Sequence, residues 1–443
     1  MRIPLILLLT VPVWGQDPLS LRDAVRVALR GNPAIAATDA GAKAAEARVA
    51  QAHSGNLPKV NYTESFARSN NPVFVFSSLL TQHQFTEQNF AIGPLNRPDF
   101  LNNFQSLVTV DQTLYDAGQT KHATRSAELS QKMTGEESRR VQLDLIAAVA
   151  RAYYGAVLAA ESLKTAQQAV RSAEADLERA QAVNAAGMST DVDVLSIRVH
   201  LAAVNEQRIQ RSADLDVARA ALNDALGQPL DTRHELTTRL QPAVLPDIAL
   251  EGVEHEAAGA RPEARQMKLA LDLAQSQAEG ARSSLWPQVS VRGAFEADRQ
   301  RFVNRGGANW LASVSLRWNL FNGFADKSRI QEAGNQVRRA EAEGQRTDSA
   351  IRLQVRQAWS GLAAAEQRIE VARAAVAESE ESLRITQNRY TAGMSNVTDL
   401  LRNETAVLES RTRYLAAVHD QRVAAILLEY AAGRLSADAE VLN

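Results

Sequence analysis

The chain carries an internal duplication, and this feature restricts it to folds built from two similar units. Motifs of the first half return at a constant offset of 206 residues, and motifs further upstream return at an offset of 229 residues. The pairs offset by 206 are Leu114-Tyr115-Asp116 with Leu320-Phe321-Asn322, Ala152-Tyr153 with Ala358-Trp359, Ala186-Gly187-Met188-Ser189 with Ala392-Gly393-Met394-Ser395, and Leu226-Gly227 with Ala432-Gly433. The pairs offset by 229 are Asn32-Pro33 with Arg261-Pro262 and Leu57-Pro58 with Trp286-Pro287. Constant offsets indicate a repeated structural unit. The difference between them, 229 − 206, places a 23-residue insertion in the first unit, between Pro58 and Leu114.

The duplication predicts how the chain is divided. We expect a first repeat over residues 16–227 and a second over 250–433, joined by a polar, proline-punctuated linker over 228–249. Residues 434–443 form a C-terminal tail. Residues 1–15 have one positive charge and an apolar run of about 12 residues, which is typical of a secretory signal and too short for a spanning helix of roughly 20 residues.

Each repeat is predicted to contain the same elements in the same order. It begins with one amphipathic helix, over about 19–54 or 250–284, with Pro33 or Pro262 near its first turns. Two strands with period-two alternation follow, over about 59–66 and 106–115 in the first repeat and 287–297 and 311–321 in the second. Thr109, Asp111 and Thr113 share one polar face. A helical hairpin then runs over about 119–227 or 324–432.

The long helix of each hairpin carries an apolar stripe in steps of four and three residues, from Leu145 to Asn184 and from Ile351 to Tyr390. A 3.5-residue period held over this length predicts coiled-coil packing, and the many alanines allow close approach of the partner helix. At 1.5 Å per residue, a helix over 119–186 is on the order of 100 Å long. That length exceeds what a globular core can use.

The turns inside the hairpins are predicted from their end signals. Gly187 and Gly393 are suited to left-handed C-caps, and Ser189 and Ser395 are expected to cap the returning helices. Asp193 and Asp399 lie about one turn into those helices, where a carboxylate favours the positive helix end.

The composition excludes several classes of function. The chain has no cysteine and a formal net charge of -2, so a thiolate site and a basic nucleic-acid surface are not expected. Its seven histidines do not occur at metal-ligand spacing, and phosphate-loop, dinucleotide and serine-hydrolase motifs are lacking. We therefore expect neither a cofactor nor a metal, and not an enzyme. No segment after the N-terminus is expected to span a membrane as a helix, so any membrane passage must use β-strands.

Two sets of aromatic residues remain open to interpretation. Aromatics near the strand ends fit either an ordinary core or an interfacial girdle around a β-barrel; they are Tyr62, Phe66, Tyr115, Phe295, Trp310, Trp318, Phe321 and Phe324. Six phenylalanines in or near the insertion, within about 68–105, predict a loop that packs on itself or folds over a channel mouth; they are Phe74, Phe76, Phe85, Phe90, Phe100 and Phe104.

The repeated order of helix, strand, strand, long helix and return helix resembles the TolC-like outer membrane efflux proteins. The similarity extends to three motifs: Leu57-Pro58 and Trp286-Pro287 before the first strands, the turns at 114–118 and 320–323, and Ala-Gly-Met-Ser followed by Asp193-Val194-Leu195 or Asp399-Leu400-Leu401. The resemblance implies a mainly α-helical chain with a transmembrane β-barrel. Three chains would share one twelve-stranded barrel in the outer membrane, with a long helical tunnel in the periplasm.

The resemblance also implies partners and a gating region. A periplasmic adaptor would dock on the channel and an inner-membrane transporter would power export of drugs, metals or secreted proteins. The hairpin turns would form the periplasmic tip, through Gly187, Met188, Ser189, Asp193, Gly393, Met394, Ser395, Asp399 and Arg402. Arg402 stands where some members carry another acid, and we expect it to pair with Asp193 or Asp399. Two alternatives, a periplasmic adaptor or a coiled-coil scaffold, fit the two hairpins and intervening strands less well.

Overall fold

The computed structural model describes residues 18–243, 249–303 and 306–443. The predicted signal segment over 1–15 and residues 244–248 of the predicted linker lie outside the described residues. The described chain is mainly helical and contains one four-stranded sheet and one two-stranded pair.

The elements follow the order expected from the sequence. The strands are β1 (Pro18–Leu19), β2 (Lys59–Ser69), β3 (Leu101–Tyr115), β4 (Glu235–Leu236), β5 (Gln288–Arg299) and β6 (Gly307–Arg317). The α-helices are α1 (Leu21–Gly31), α2 (Pro33–His53), α3 (Pro72–Thr81), α4 (Ile92–Asn96), α5 (Gln119–Ala185), α6 (Asp191–Leu226), α7 (Leu250–Ala260), α8 (Pro262–Ser283), α9 (Ala325–Thr391) and α10 (Val397–Ala432).

The helices of the two hairpins repeat at the offset found in the sequence. Helix α9 begins and ends 206 residues after α5 (325 − 119 and 391 − 185), and α10 does so after α6 (397 − 191 and 432 − 226). None of the stripe positions from Leu145 to Asn184 and from Ile351 to Tyr390 is exposed. The predicted stripe therefore lies on the packed side of each long helix.

The chain forms two compact units, and each takes segments from both halves of the sequence. The helical unit comprises residues up to Gly41, Gly135–Gln266 and Gln345–Asn443. The sheet unit comprises Ala42–Thr134 and Met267–Gly344. The compact units thus differ from the sequence repeats, because α5 and α9 each begin in the sheet unit and end in the helical unit.

The prediction of one continuous helix before the strands of each repeat is wrong. The chain breaks at Asn32, between α1 and α2, and at Arg261, between α7 and α8. Both residues have an extended backbone, with ψ of 130° and 131°. Each precedes a proline, whose ring clashes with a helical conformation of the residue before it.

The predicted bounds of the last strand, 311–321, are wrong at both ends. Strand β6 starts at Gly307 and ends at Arg317, which pairs with Gln288, the first residue of β5. Pro287 stands directly before Gln288 and cannot donate a ladder hydrogen bond. Trp318 therefore has no strand partner, and its Nε1 donates to the Leu285 carbonyl at 3.0 Å.

The core of the helical unit is built around α5. Tyr153 is fully buried, donates to the Leu19 carbonyl at 2.7 Å and accepts from the Thr238 amide at 3.0 Å. It therefore ties α5 to β1 and to the segment that follows β4. Contrary to the expectation from sequence, α5 contains an 18-residue window apolar enough to cross a membrane by length and composition. Half of that window is buried inside the fold. The need to fill this core accounts for its apolar character.

Candidate functional site

The four-stranded sheet has one apolar face and one polar face. Its order is β2-β3-β5-β6 and all neighbours are antiparallel. One row of directly paired residues crosses all four strands as Tyr62, Val108, Phe295 and Trp310. Trp310 is 80% exposed, so this row faces outward from the chain. Other members of the apolar face are Val60, Phe66, Val110, Val289, Val291, Val314 and Leu316.

The opposite face is lined by charged and amide side chains. One row across the sheet consists of Lys59, Asp111, Arg292 and Ser313, in which Arg292 Nε contacts Asp111 Oδ1 at 2.6 Å. The predicted polar residues Thr109, Asp111 and Thr113 lie on this face, as alternation requires. The sheet therefore has the two surfaces needed by a wall between lipid and water.

The aromatic residues near the strand ends are not core residues. All eight are exposed, from 51% at Phe295 to 80% at Trp310. The sequence left two interpretations open, an ordinary core or an interfacial girdle. The exposure of these eight side chains excludes a core within this chain. An exposed aromatic band on a sheet is typical of a membrane interface.

One ion pair interrupts the apolar face. Glu64 lies between Tyr62 and Phe66 along β2, and Arg299 Nη2 contacts its Oε1 at 3.0 Å. The Tyr62 hydroxyl and the Ser106 hydroxyl also donate to Glu64. The carboxylate is thus neutralised and bonded where it meets the apolar surface.

The insertion between β2 and β3 packs on itself and on the end of the sheet. Phe85 makes edge contacts with Phe76 and Phe90, with ring centroids 4.8 and 5.1 Å apart. Gln82, 1% exposed, donates to Asn103 Oδ1 at 2.8 Å, and Asn103 donates to Asp298 Oδ1 at 2.6 Å. Asn103 and Asp298 belong to the polar face, so the insertion is bonded to that face at one end of the strands.

The turn between α5 and α6 has the geometry expected from its glycine. Gly187 has φ +72° and donates to the Asn184 carbonyl at 2.8 Å, and Met188 donates to the Val183 carbonyl at 3.1 Å. These two bonds form a Schellman C-cap. The turn between α9 and α10 repeats them: Gly393 has the same φ and Met394 donates to Arg389 at 2.8 Å. Met188 and Met394 are 75% and 63% exposed.

The prediction that Ser189 and Ser395 cap the returning helices is wrong. The caps are Thr190 and Asn396, which directly precede the first helical residues and accept from the amides of Asp193 and Asp399. The cap must lie next to the first turn for its side chain to reach the third amide. Ser189 and Ser395 lie one position too early.

The two aspartates are bound into these caps differently. Asp193 Oδ2 accepts from the Thr190 amide at 3.2 Å, which closes a capping box. Asp399 accepts from the Ser395 hydroxyl at 3.4 Å and has Arg402 Nη1 at 3.9 Å. Arg402 is therefore near Asp399, and its side chain is 76% exposed.

The ends of the two hairpins are packed side by side behind the turns. Ala180, Val194, Ile197 and Val397 form a buried apolar cluster, with Tyr390 against it. Burial, followed by the negative charges of Asp193 and Asp176, raises the pKa of Tyr390. The structure thus brings the nine predicted tip residues to the two hairpin turns and the first turns of α6 and α10, within one unit.

A buried polar group behind the turns was missed by the sequence analysis. It comprises Asp176 on α5, His200 on α6 and Glu404 on α10. Asp176 lies three residues after Ala173 and four before Ala180, both fully buried. The sequence signal for this group was an acidic residue, Asp176, at a spacing where the helix buries its side chains. Among the described residues, no group of three or more His, Asp and Glu is arranged to hold a metal ion.

A sheet with one apolar and one polar face, joined to long paired helices, fits an outer-membrane protein. The chain belongs to the outer membrane efflux protein family, whose sequence profile matches residues 24–228 and 253–434. It is an outer-membrane protein of the efflux and secretion class.

Relatives extend over nearly the whole chain. Protein CyaE of Bordetella pertussis is 28% identical over 446 residues, covering 96% of this chain and 86% of CyaE. The proteases secretion protein PrtF of Dickeya chrysanthemi is 22% identical, covering 98% and 92%. The fold matches the CmeC outer membrane channel of Campylobacter jejuni with a TM-score of 0.80 at 15% identity, covering 100% of this chain and 95% of CmeC.

Proposed function

We propose that three copies of this chain form one exit duct across the outer membrane, for a tripartite efflux or type I secretion system. The observation that carries the proposal is the sheet with one apolar and one polar face. Four strands per chain would give a twelve-stranded barrel with the apolar face toward lipid and the polar face toward the lumen. The sequence repeats over 16–227 and 250–433 would each supply two strands and one hairpin.

Barrel closure requires more than one copy. Strands β2 and β6 are the sheet edges, each with one strand neighbour among the described residues. Unpaired backbone groups at such edges cost several kcal/mol each in lipid, about the cost of a buried unsatisfied polar group. Pairing β2 of one copy with β6 of the next would remove every edge. Barrels of this type start at about 8 strands, so four cannot close alone.

A matched pair of substitutions tests the assembly. Val314→Lys puts a charge on the apolar face and should cost about 2–4 kcal/mol near the bilayer midplane, whereas Ser315→Lys puts it on the polar face. In unboiled, detergent-solubilised samples the parent protein and Ser315→Lys should run at a trimer mass, and Val314→Lys should lose trimer. A well-behaved water-soluble monomer, or equal tolerance of both lysines, would contradict the proposal.

The insertion tests the orientation of the barrel. We propose that the connection between β2 and β3 faces the exterior and lies over the channel mouth. A tag inserted at Asn96, which is exposed, should bind antibody on intact cells. Labelling only after the outer membrane is breached would reverse the assignment.

The tip turns are proposed as the contact for a periplasmic adaptor, with an inner-membrane transporter behind it. The exposed Met188 and Met394 support this, since methionine is favoured at adaptable binding surfaces. PrtF is named for protease secretion and TtgC of Pseudomonas putida for toluene efflux, so either cargo class is compatible with the family. The chain has no cysteine, so Met394→Cys supplies a single thiol for cross-linking in cells. Asn96 replaced by cysteine is the control; equal yields of adaptor-sized adducts from both sites would contradict docking at the tip.

A further inference from the structure

Two acidic side chains are buried next to each other inside the helical unit. Asp176 on α5 is 2% exposed and Glu404 on α10 is 8% exposed. The Ser172 hydroxyl, one helical turn before Asp176, donates to Glu404 at 3.0 Å, which brings the two carboxyl groups to the same place, and Glu404 raises the pKa of Asp176. Two ionised carboxylates can only accept hydrogen bonds. A bond between them therefore needs a proton.

The groups that face this pair come from three helices, α5, α6 and α9. On α5, Arg179 Nη1 contacts Asp176 Oδ1 at 2.7 Å and the Ser172 hydroxyl donates to Glu404 at 3.0 Å. On α6, His200 Nε2 lies 3.3 Å from Glu404 Oε2. On α9, Tyr390 is close enough to Asp176 for its negative charge to raise the pKa of the tyrosine. Arg179 is thus the one permanent cation in contact with the two acids among the described residues.

The pair lies between two apolar clusters. On the side of the turns are Ala180, Val194, Ile197 and Val397, and on the other side are Val170, Ala173 and Val204. Asp176 Oδ2 is buried and has no hydrogen-bond donor within the described part of the chain. A pocket of about 330 Å³ reaches Ser172, His200 and Glu404, and its rim includes Arg384 and Arg411. The pocket reaches the pair on the side of Glu404.

The proton is held more tightly by one acid than by the other. Burial, reinforced by the hydrogen bond and charge of Glu404, raises the pKa of Asp176 to about 7, against the opposing effect of Arg179. Burial also acts to raise the pKa of Glu404, but hydrogen bonds from His200, Asp176 and Ser172 outweigh it and lower that pKa below its usual range.

We propose that Asp176 and Glu404 share one proton that ties the first hairpin to α10 behind the tip turns, and that loss of this proton loosens the contact. The proposal rests on the channel function proposed above, since the loosened contact would alter the opening of the duct. Because the folded form keeps its proton at higher pH than the unfolded form, the contact is at full strength below the ordinary aspartate range. It weakens as pH rises toward about 7.

The second repeat lacks this pair. The positions 206 residues away from Asp176 and Glu404 hold Ser382 and Arg198, so the equivalent contact could not share a proton. The device is therefore specific to one side of the bundle. Ser382 also suggests a substitution, Asp176→Ser, that the same backbone already accommodates.

The first experiment measures amide hydrogen exchange of residues 191–205 and 397–408 in the full-length, detergent-solubilised protein between pH 5 and 8, corrected for intrinsic pH effects. The equilibrium constant for local opening of these segments should rise by up to about tenfold per pH unit and level off near pH 7. Asp176→Asn and Asp176→Ser should abolish this dependence, whereas Glu178→Gln, at an exposed position two residues away, should keep it. A flat profile in the parent protein, or an unchanged profile in Asp176→Asn, would overturn the proposal.

The second experiment records conductance in planar bilayers over the same pH range. The parent channel should change conductance with a midpoint near pH 7. Asp176→Asn should keep the low-pH value throughout, because its neutral amide replaces the protonated acid. A complete lack of conductance in all variants would count against the channel function alone, since the exchange profile still tests the shared proton. A pH-dependent exchange profile with constant conductance would remove the link to the duct.

Discussion

The return helices of the two repeats end with the same backbone conformation, but different side chains bond to the two helix ends. Gly227 and Gly433 stop the return helices α6 and α10 with φ of +71° and +76°. Gly227 lies against the break at Asn32, and Gly433 lies against the break at Arg261. A Cβ on Gly227 would lie 2.8 Å from the Asn32 Cα. In the first repeat Asn32 Nδ2 donates to the Ala225 carbonyl at 2.9 Å.

In the second repeat the same place is occupied by arginine. Arg261 Nη1 donates to the Ala431 carbonyl at 3.4 Å, and Ala431 is the counterpart of Ala225. Arg261 is 3% exposed, forms an ion pair with Glu263 at 2.7 Å and stacks over the Tyr430 ring. The two repeats thus share the backbone of their helix ends, while an amide in one and a buried cation in the other bond the same carbonyl at different energetic cost.

The largest expected effect comes from the two hairpin turns that we propose as the periplasmic tip, where the repeats are most alike. Gly393→Pro would force φ from +72° to about −65° and remove the amide bonded to Tyr390, a cost of roughly 3 kcal/mol or more. We expect export to be abolished while the trimer band persists. Gly187→Pro should have the same effect if the two turns are equivalent in function. Normal export by both variants would reduce the tip to a simple turn.

The next effect separates the two helix ends. Arg261→Ala leaves Glu263 without its ion-pair partner and should cost about 3 kcal/mol, whereas Asn32→Ala removes one neutral hydrogen bond and should cost about 1 kcal/mol. Thermal melting followed by circular dichroism should rank the variants in that order. Equal melting temperatures of the two variants would mean that Arg261 stabilises its helix end no more than Asn32 does.

The pH dependence of the melting temperature is a second test of the ion pair between Arg261 and Glu263. Burial alone would raise the pKa of Glu263, but hydrogen bonds and charge from Arg261 hold it below the ordinary glutamate range. A lowered pKa gives stability that is present above the ordinary value and lost as pH falls through the folded one. The melting temperature of the parent protein should therefore fall in acid, and that component should be smaller in Arg261→Ala. A steeper acid loss in the variant would contradict the assignment.

The smallest effect concerns Arg402, which has no basic counterpart in the first repeat, where position 196 is Ser196. Its contact with Asp399 is long, at 3.9 Å, and exposed, so it should contribute less than about 1 kcal/mol. Arg402→Ala should leave stability unchanged but raise single-channel conductance or admit a bulky antibiotic. Ser196→Ala is the matched control. Conductance equal to that of the parent would contradict the gating role that the resemblance implies for Arg402.

Much of the fold could be predicted because it is encoded in local periodicity. The steps of four and three residues determine α5 and α9, the two-residue alternation determines the faces of β2, β3, β5 and β6, and the constant offset reveals the duplication. These signals depend on neighbours in sequence. They suffice wherever one side of an element is buried and the other is not.

Other features were decided by partners distant in sequence. The last strand ends at Arg317 because its neighbour begins at Gln288, and the compact units cut across the repeats because long helices carry the chain between them. Asp176 and Glu404 are 228 positions apart (404 − 176), and nothing near either residue signals the other. Only tertiary packing brings the two acids into one buried site, where burial favours one shared proton over two negative charges.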